Sequence, residues 1–211
     1  MLKGFVLACG LMAGVAHAQE WEVGAIGGYG YNTPDFTVKS GSATASAGFA
    51  TGGVVGVFGG GDTYNYWSGE ARYLYRYSNA KLSSGSTTVD FGAHTHIANA
   101  DILAHFRPRE SRIRPFIAFG GGVKVLVGTG AESAAQPLGR LAALTATQET
   151  LPVGDVGFGV KVAVTKSLRF RFEVQDFISP TPSKVIAAAP GASASGILND
   201  IVGSVAVSYT W

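Results

Sequence analysis

The chain has 211 residues, 14% of them charged, and a formal net charge of +2. That length suits a single β domain, and near-neutrality excludes nucleic acid as the main partner. Thirty glycines disfavour a helical protein and suit tightly curved β-structure, where backbones approach closely.

Residues 1–18 read as a signal peptide. Lys3 supplies the positive start, FVLACGLMAGVA the apolar stretch, and Ala16-His17-Ala18 a small-x-small cleavage site. The apolar stretch is too short to span a bilayer as a helix. Lipidation of Cys9 is the competing reading, with few apolar residues before it. Cleavage after Ala18 leaves a domain of residues 19–211 without cysteine, hence without disulfide or thiol chemistry.

From Glu20 onward the pattern is alternation with period two, which predicts eight strands. The first, 20–31, sets Trp21, Val23, Ala25, Gly27, Tyr29 and Tyr31 on one face; the second, about 48–59, carries Val55 and Val57. In the third, 63–77, Trp67, Ala71, Tyr73, Tyr75 and Tyr77 oppose Glu70, Arg72 and Arg76. The fourth, about 91–107, sets Ala100, Ile102, Ala104 and Phe106 against Asn99, Asp101, His105 and Arg107.

In the fifth, 113–127, Ile117, Phe119, Val123, Val125 and Val127 oppose Lys124. The sixth, 153–164, sets Val156, Phe158, Val160, Val162 and Val164 against Asp155 and Lys161. The seventh, 168–178, sets Leu168, Phe170, Phe172 and Val174 against Arg169, Arg171, Glu173 and Gln175. The eighth, about 198–211, sets Ile201, Val205, Val207, Tyr209 and Trp211 against Asp200, Ser204, Ser208 and Thr210.

Short turns are expected at Gly59–Asp62, Pro108–Ser111 and Thr165–Ser167, and long loops near 32–47, 78–90, 128–152 and 179–197. Short turns on one rim and long loops on the other are the rhythm of a transmembrane barrel, with both ends of the chain on the periplasmic side. A lipocalin-type soluble barrel also alternates but keeps its apolar side chains inside. Here the apolar faces hold more Val, Phe, Tyr and Trp than a small ligand cavity needs. The fold class is therefore all-β: an eight-stranded antiparallel up-and-down barrel in the outer membrane, closed because lipid tolerates no unpaired sheet edge.

Aromatic girdles are expected at both interfaces. Trp21, Phe106, Phe170, Tyr209 and Trp211 fall on the periplasmic side; Tyr29, Tyr31, Tyr73, Tyr75 and Tyr77 fall on the outer side. RPFIAFGGG at 114–122 and the closing VAVSYTW resemble small eight-stranded outer-membrane barrels of the OmpA transmembrane-domain and OmpX kind. The resemblance covers the whole chain after the leader, with Trp211 standing where a final Phe is more usual. It implies insertion by the barrel-assembly machinery through the C-terminal strand and an architecture rather than an activity. No peptidoglycan-binding domain is expected.

Three features are candidates for function. The inward charges Glu70, Arg72, Arg76, Asp101, Lys124, Lys161, Arg169, Arg171 and Glu173 are expected to pair and plug a barrel just wide enough for side chains. In that reading Glu70, Asp101 and Glu173 are neutralised by Arg72, Arg76, Lys124, Arg169 and Arg171; the alternative is a narrow or gated ion pore. His94 and His96 share a strand face and suit a metal or a base. Some eight-stranded barrels modify lipid A with a rim His and Ser, but no carboxylate beside a Ser accompanies this pair, and polar residues at a wet rim are the expected reading.

The long loops come third, as mobile surface or as contacts to an extracellular ligand. Within 128–150, Leu138, Leu141 and Leu144 have the spacing of a short helix. No phosphate loop, paired cysteines, zinc motif or nucleophile elbow is present, so no cofactor, resident metal or enzymatic activity is expected. The partners expected are outer-membrane lipid, the assembly machinery and a surface ligand, with the chain a monomer.

Overall fold

The computed structural model describes residues 20–32, 36–132 and 136–211; the expected leader, Cys9 and the expected cleavage position after Ala18 lie outside them. Eight strands close into an antiparallel barrel: β1 (Glu20–Asn32), β4 (Gly52–Tyr64), β5 (Trp67–Tyr77), β8 (Ala93–His105), β9 (Ile113–Gly128), β11 (Gln148–Ala163), β12 (Leu168–Pro180) and β15 (Ile197–Thr210). No helix occurs among the described residues. Closure is made by β1, which pairs with β4 on one side and β15 on the other, from Glu22 opposite Thr210 to Asn32 opposite Asp200.

The connections on one rim are short: 65–66, 106–112 and 164–167. The start of β1 and the end of β15 meet on that rim, where Trp21 and Trp211 exchange backbone hydrogen bonds at 3.1 Å and Thr210 N–H donates to Ser167 O at 2.9 Å. The turn expected at Gly59–Asp62 is a correction: those residues continue β4, and the chain reverses at Asn65 and Tyr66. Gly60 serves close approach instead. A Cβ on Gly60 would stand 2.3 Å from Gly69 O and 2.6 Å from Glu70 Cβ, filling room the inward Glu70 occupies.

The period-two pattern sorts the side chains as the lipid requires. Val55, Val57, Ile102, Ile117, Phe119, Val123, Val156, Phe158, Phe172, Val174, Val205 and Val207 all face outward and stand exposed, while their strand neighbours are buried in the lumen. Outward apolar and inward charged residues are the polarity of a membrane barrel, opposite to a lipocalin. Phe158→Arg near mid-strand is accordingly expected to cost about 2–4 kcal/mol in vesicle unfolding titrations, the range for a cation placed at the bilayer midplane.

The four connections on the other rim fold. The first, after β1, forms β2 (Phe36–Ser40) and β3 (Ala43–Phe49), and the second forms β6 (Ala80–Ser84) and β7 (Thr87–Phe91). The third contributes β10 (Ala142–Leu144), and the fourth β13 (Ile186–Ala188) and β14 (Ser193–Ser195). They assemble into a five-stranded sheet, β14-β2-β3-β6-β7, and a two-stranded sheet, β10-β13. Two reversals make this possible: Gly41 and Gly85 take φ of 59° and 57°, which a two-residue hairpin turn demands and a side chain disfavours.

Under these sheets lies an apolar core of its own: Phe36, Val38, Ala45, Ala47, Phe49, Ala80, Leu82, Phe91, Leu141, Ala142, Leu144, Val185 and Ile186. It is continued by Ala93, Leu126, Leu151 and Leu198 from the outer ends of barrel strands. The expected helix over Leu138, Leu141 and Leu144 is corrected. Residues 137–141 form a turn and 142–144 a strand, because the backbone of β10 pairs with β13 (Leu144 opposite Ile186) rather than with itself. Leu141 and Leu144 are nonetheless buried in one core, with Leu138 packed against it.

Candidate functional site

The lumen is the first candidate, and its side chains are stacked in layers along the barrel. Nearest the short turns, Arg169 meets Glu20 at 2.5 Å, and Lys161 meets Glu22 at 2.6 Å. Ser208 donates to the other Glu22 oxygen at 2.7 Å. Beside them Arg114 donates to Asp62 at 2.8 Å, and Ser68 Oγ and His105 Nε2 are bonded at 2.8 Å.

The middle layer is a continuous network. Arg171 holds both Glu70 oxygens at 2.5 and 2.8 Å and lies 3.5 Å from Glu173. Arg72 bonds Glu70 and Gln175, and contacts Asp101 at 3.0 Å and Glu173 at 3.2 Å. The Arg171 guanidinium lies 4.2 Å from the Phe58 ring centre and 5.4 Å from that of Phe116, so it rests on aromatic rings while its two terminal nitrogens are bonded to Glu70. Asn99 and Gln175 each donate to both Asp101 and Asp155, bridging two carboxylates.

The outer layer centres on Asp200, which takes Lys124 at 2.5 Å on one oxygen and Arg76 and Asn32 on the other. Lys124 also donates to Ser179 at 3.0 Å. Ile26, Val54, Phe58, Leu74, Ile97, Val153, Phe177, Val202 and Ala206 fill the space among these polar groups. Burying so many charges is tolerable because all but one have an opposite charge within bonding distance, and the exception, Asp155, accepts hydrogen bonds from Asn99 and Gln175.

All nine charges expected inside are buried, but the pairing differs from expectation. Glu70, Asp101 and Glu173 gather Arg72 and Arg171, whereas Arg76 and Lys124 go to Asp200 and Arg169 goes to Glu20. Glu20, Glu22, Asp62, Arg114 and Asp200 were not in the expected network, although each sits on the polar phase of its strand, and that phase was the available signal. Arg107 is corrected: β8 ends at His105 and Arg107 is exposed in the turn.

The aromatic residues Trp21, Tyr29, Tyr73, Phe106, Phe170, Tyr209 and Trp211 point outward and are exposed, and Tyr75 is half-buried by Tyr77 and the two histidines beside it. Tyr64, Tyr66 and Trp67 add an exposed aromatic cluster at the first short turn. His94 and His96 also face outward, half-buried, packed on Tyr73 and Tyr75. Tyr73 Oη lies 2.6 Å from His96 Nδ1. No group of three or more His, Cys, Asp or Glu able to hold a metal occurs among the described residues.

The cap is the other candidate. Its five-stranded sheet turns Thr37, Lys39, Thr44, Ser46, Lys81 and Thr88 away from the core, a polar and mostly exposed face. Glu149, above the membrane-facing band, ties the cap down. Its carboxylate accepts from the backbone N–H groups of Ser183 (2.9 Å) and Lys184 (2.7 Å) and from Ser183 Oγ (2.8 Å). Burial by itself raises the Glu149 pKa, but those donors more than offset it and hold the carboxyl below its ordinary value of 4.5. A depressed folded-state pKa contributes stability above the ordinary value and loses it as pH falls through the folded value. Hydrogen exchange at Ser183–Val185, corrected for its intrinsic pH dependence, should therefore accelerate below about pH 4.5, and Glu149→Gln should abolish that acceleration.

A closed eight-stranded barrel with an apolar outer band, a charged lumen and short turns on one rim defines an integral outer-membrane β-barrel protein. Residues 5–189 match the outer membrane protein beta-barrel domain family, and the chain belongs to that family. Among solved structures it is similar to Neisserial surface protein A: TM-score 0.53, 11% identity, covering 90% of this chain and 97% of that one. The N-terminal barrel of Pseudomonas aeruginosa OprF matches at TM-score 0.44 and 12% identity, covering 90% and 97%. Ail, the attachment invasion locus protein of Yersinia pestis, solved with the heparin analogue sucrose octasulfate, matches at 0.46 and 9%, covering 90% and 99%. No curated protein matches in sequence.

Proposed function

We propose that this outer-membrane barrel is a non-conducting scaffold that holds a folded platform at the cell surface for contact with an extracellular ligand. The observation that carries this reading is the cap core, in which segments from all four long connections bury Phe36, Leu82, Leu144 and Ile186 together. Ordering that much chain is entropically costly and gives a loop that merely joins two strands nothing in return. A rigid polar sheet face is, in contrast, what a contact surface requires. The ion-paired, apolar-filled lumen supports a plugged barrel rather than a pore. Among the described residues, the ring contacts and the hydrogen bond of His94 and His96 are to tyrosines and to each other, with none to a carboxylate or a serine, and this favours a non-enzymatic role. Export with cleavage after Ala18, insertion by the assembly machinery through β15 and a monomeric state complete the proposal.

Two measurements test it. In planar bilayers the purified protein should insert without conductance steps, and reproducible channel openings would reject the plug. Proteoliposomes carrying it should adhere to extracellular-matrix or glycosaminoglycan layers more than lipid-only vesicles do, and Lys39→Glu/Lys81→Glu should reduce that adhesion. Equal adhesion with and without the protein across the panel would overturn the surface-contact role.

A further inference from the structure

We propose that His94 and His96 form a two-histidine clip for a first-row transition-metal ion on the outward face of β8, at its outer end. The two residues stand at i and i+2, so they share the side of the strand away from the lumen, and both lie at the end of β8 nearest the cap, where Ala93 begins the strand. Opposite them on β5 stand Tyr75 and Tyr77, and on β9 Val125 and Val127. The tyrosines belong to the interfacial belt, a zone where one end of a side chain is wet. Ions therefore reach this strip from the outer water without crossing hydrocarbon.

The ring geometry fits shared coordination. A metal–nitrogen bond of about 2.1 Å sets an imidazole centre about 3 Å from the ion, and two such rings at a tetrahedral angle have centres about 5 Å apart. The centres of His94 and His96 are 5.1 Å apart, and their planes meet at 81°. Neighbouring side chains hold the rings: Tyr75 packs against both, at 5.3 Å from His94 and 5.1 Å from His96.

Tyr73 supplies the orienting contact. Its hydroxyl oxygen lies 2.6 Å from His96 Nδ1. With the proton on Nδ1, that nitrogen donates to the Tyr73 oxygen and the Nε2 lone pair is free for the ion. An oxygen acceptor on the far nitrogen is the arrangement that fixes tautomer and ring orientation in metal-binding histidines. Two protein ligands leave the remaining coordination positions to water or to an anionic oxygen from outside the chain. Imidazole donors select zinc, nickel and copper over calcium or magnesium.

Isothermal titration of the untagged protein, folded in detergent micelles, with ZnCl2, NiCl2 and CuSO4 tests the assignment. One equivalent should bind, most tightly for Cu2+, with Ca2+ and Mg2+ giving no heat. His94→Ala and His96→Ala should each weaken Cu2+ binding at least tenfold, and Tyr73→Phe about tenfold through the lost orientation. Heat-modifiable gel migration confirms that each variant is folded. Cu2+ affinity unchanged in the folded double variant His94→Ala/His96→Ala, or no binding of any of the three ions, overturns the proposal. An unchanged affinity in Tyr73→Phe removes the orienting role of Tyr73. His105 is the internal control: it is enclosed in the lumen against Ser68, and His105→Gln should leave the titration as it was.

Discussion

Arg171→Ala is expected to destabilise the folded barrel by about 3–5 kcal/mol, the range for removing one partner of a buried ion pair. Arg171 is 1% exposed and gives Glu70 two of its hydrogen bonds. Without it Glu70 keeps only Arg72, which is also shared with Asp101 and Glu173. The void between Phe58 and Phe116 adds lost packing. The double variant Glu70→Leu/Arg171→Met removes both charges at similar volume and should recover most of the loss, since apolar replacement of a whole pair is often neutral. Urea titration in lipid vesicles, read by heat-modifiable migration, measures both. A single variant within 1 kcal/mol of the parent would mean that the network adds little to the fold.

Leu144→Asp is expected to unfold the cap and spare the barrel. Leu144 is fully buried in the cap core, and a carboxylate there has no cationic partner, a burial that costs several kcal/mol. Lys39 and Lys81 lie in hydrogen-bonded strands of the five-stranded sheet, where a protease cannot fit the backbone. Trypsin should therefore cut slowly at Lys39 and Lys81 in the parent and rapidly there in the variant, while heat-modifiable migration persists. Equal cleavage rates would show that the loops are held by something other than their shared core. Glu149 offers an independent handle on the same unit, because its hydrogen bonds to Ser183 and Lys184 join the outer end of β11 to the last connection.

The barrel was legible because each strand announces itself locally. Alternation at i and i+2 separates Phe170 and Phe172 from Arg169 and Arg171 without reference to any other part of the chain. The run Gly59-Gly60-Gly61 reads as a turn, since glycine marks both turns and close approach, and only the Glu70 packed against Gly60 reveals close approach at that position. The cap went unread for a different reason. Its strands are three to seven residues long, too short for periodicity to stand out, and alanine fills much of the core-facing side. One signal was present: Ser40-Gly41-Ser42 and Ser84-Gly85-Ser86 each sit between two short alternating runs, the pattern of a two-residue hairpin.

By itself, then, the sequence determined that this chain forms eight lipid-facing strands with charges turned inward, because side-chain direction along a strand depends only on parity. It could not determine which charges meet. Asp200 takes Arg76 and Lys124 from strands far away in sequence, and Lys161 reaches Glu22 across the lumen. Such pairs depend on strand tilt and on the stagger at which β1 meets β15, which exist only once the sheet closes. The cap is decided at the same level. Leu82, Leu144 and Ile186 come from three different connections, and none has anything to bury against until the barrel brings the loops to one rim.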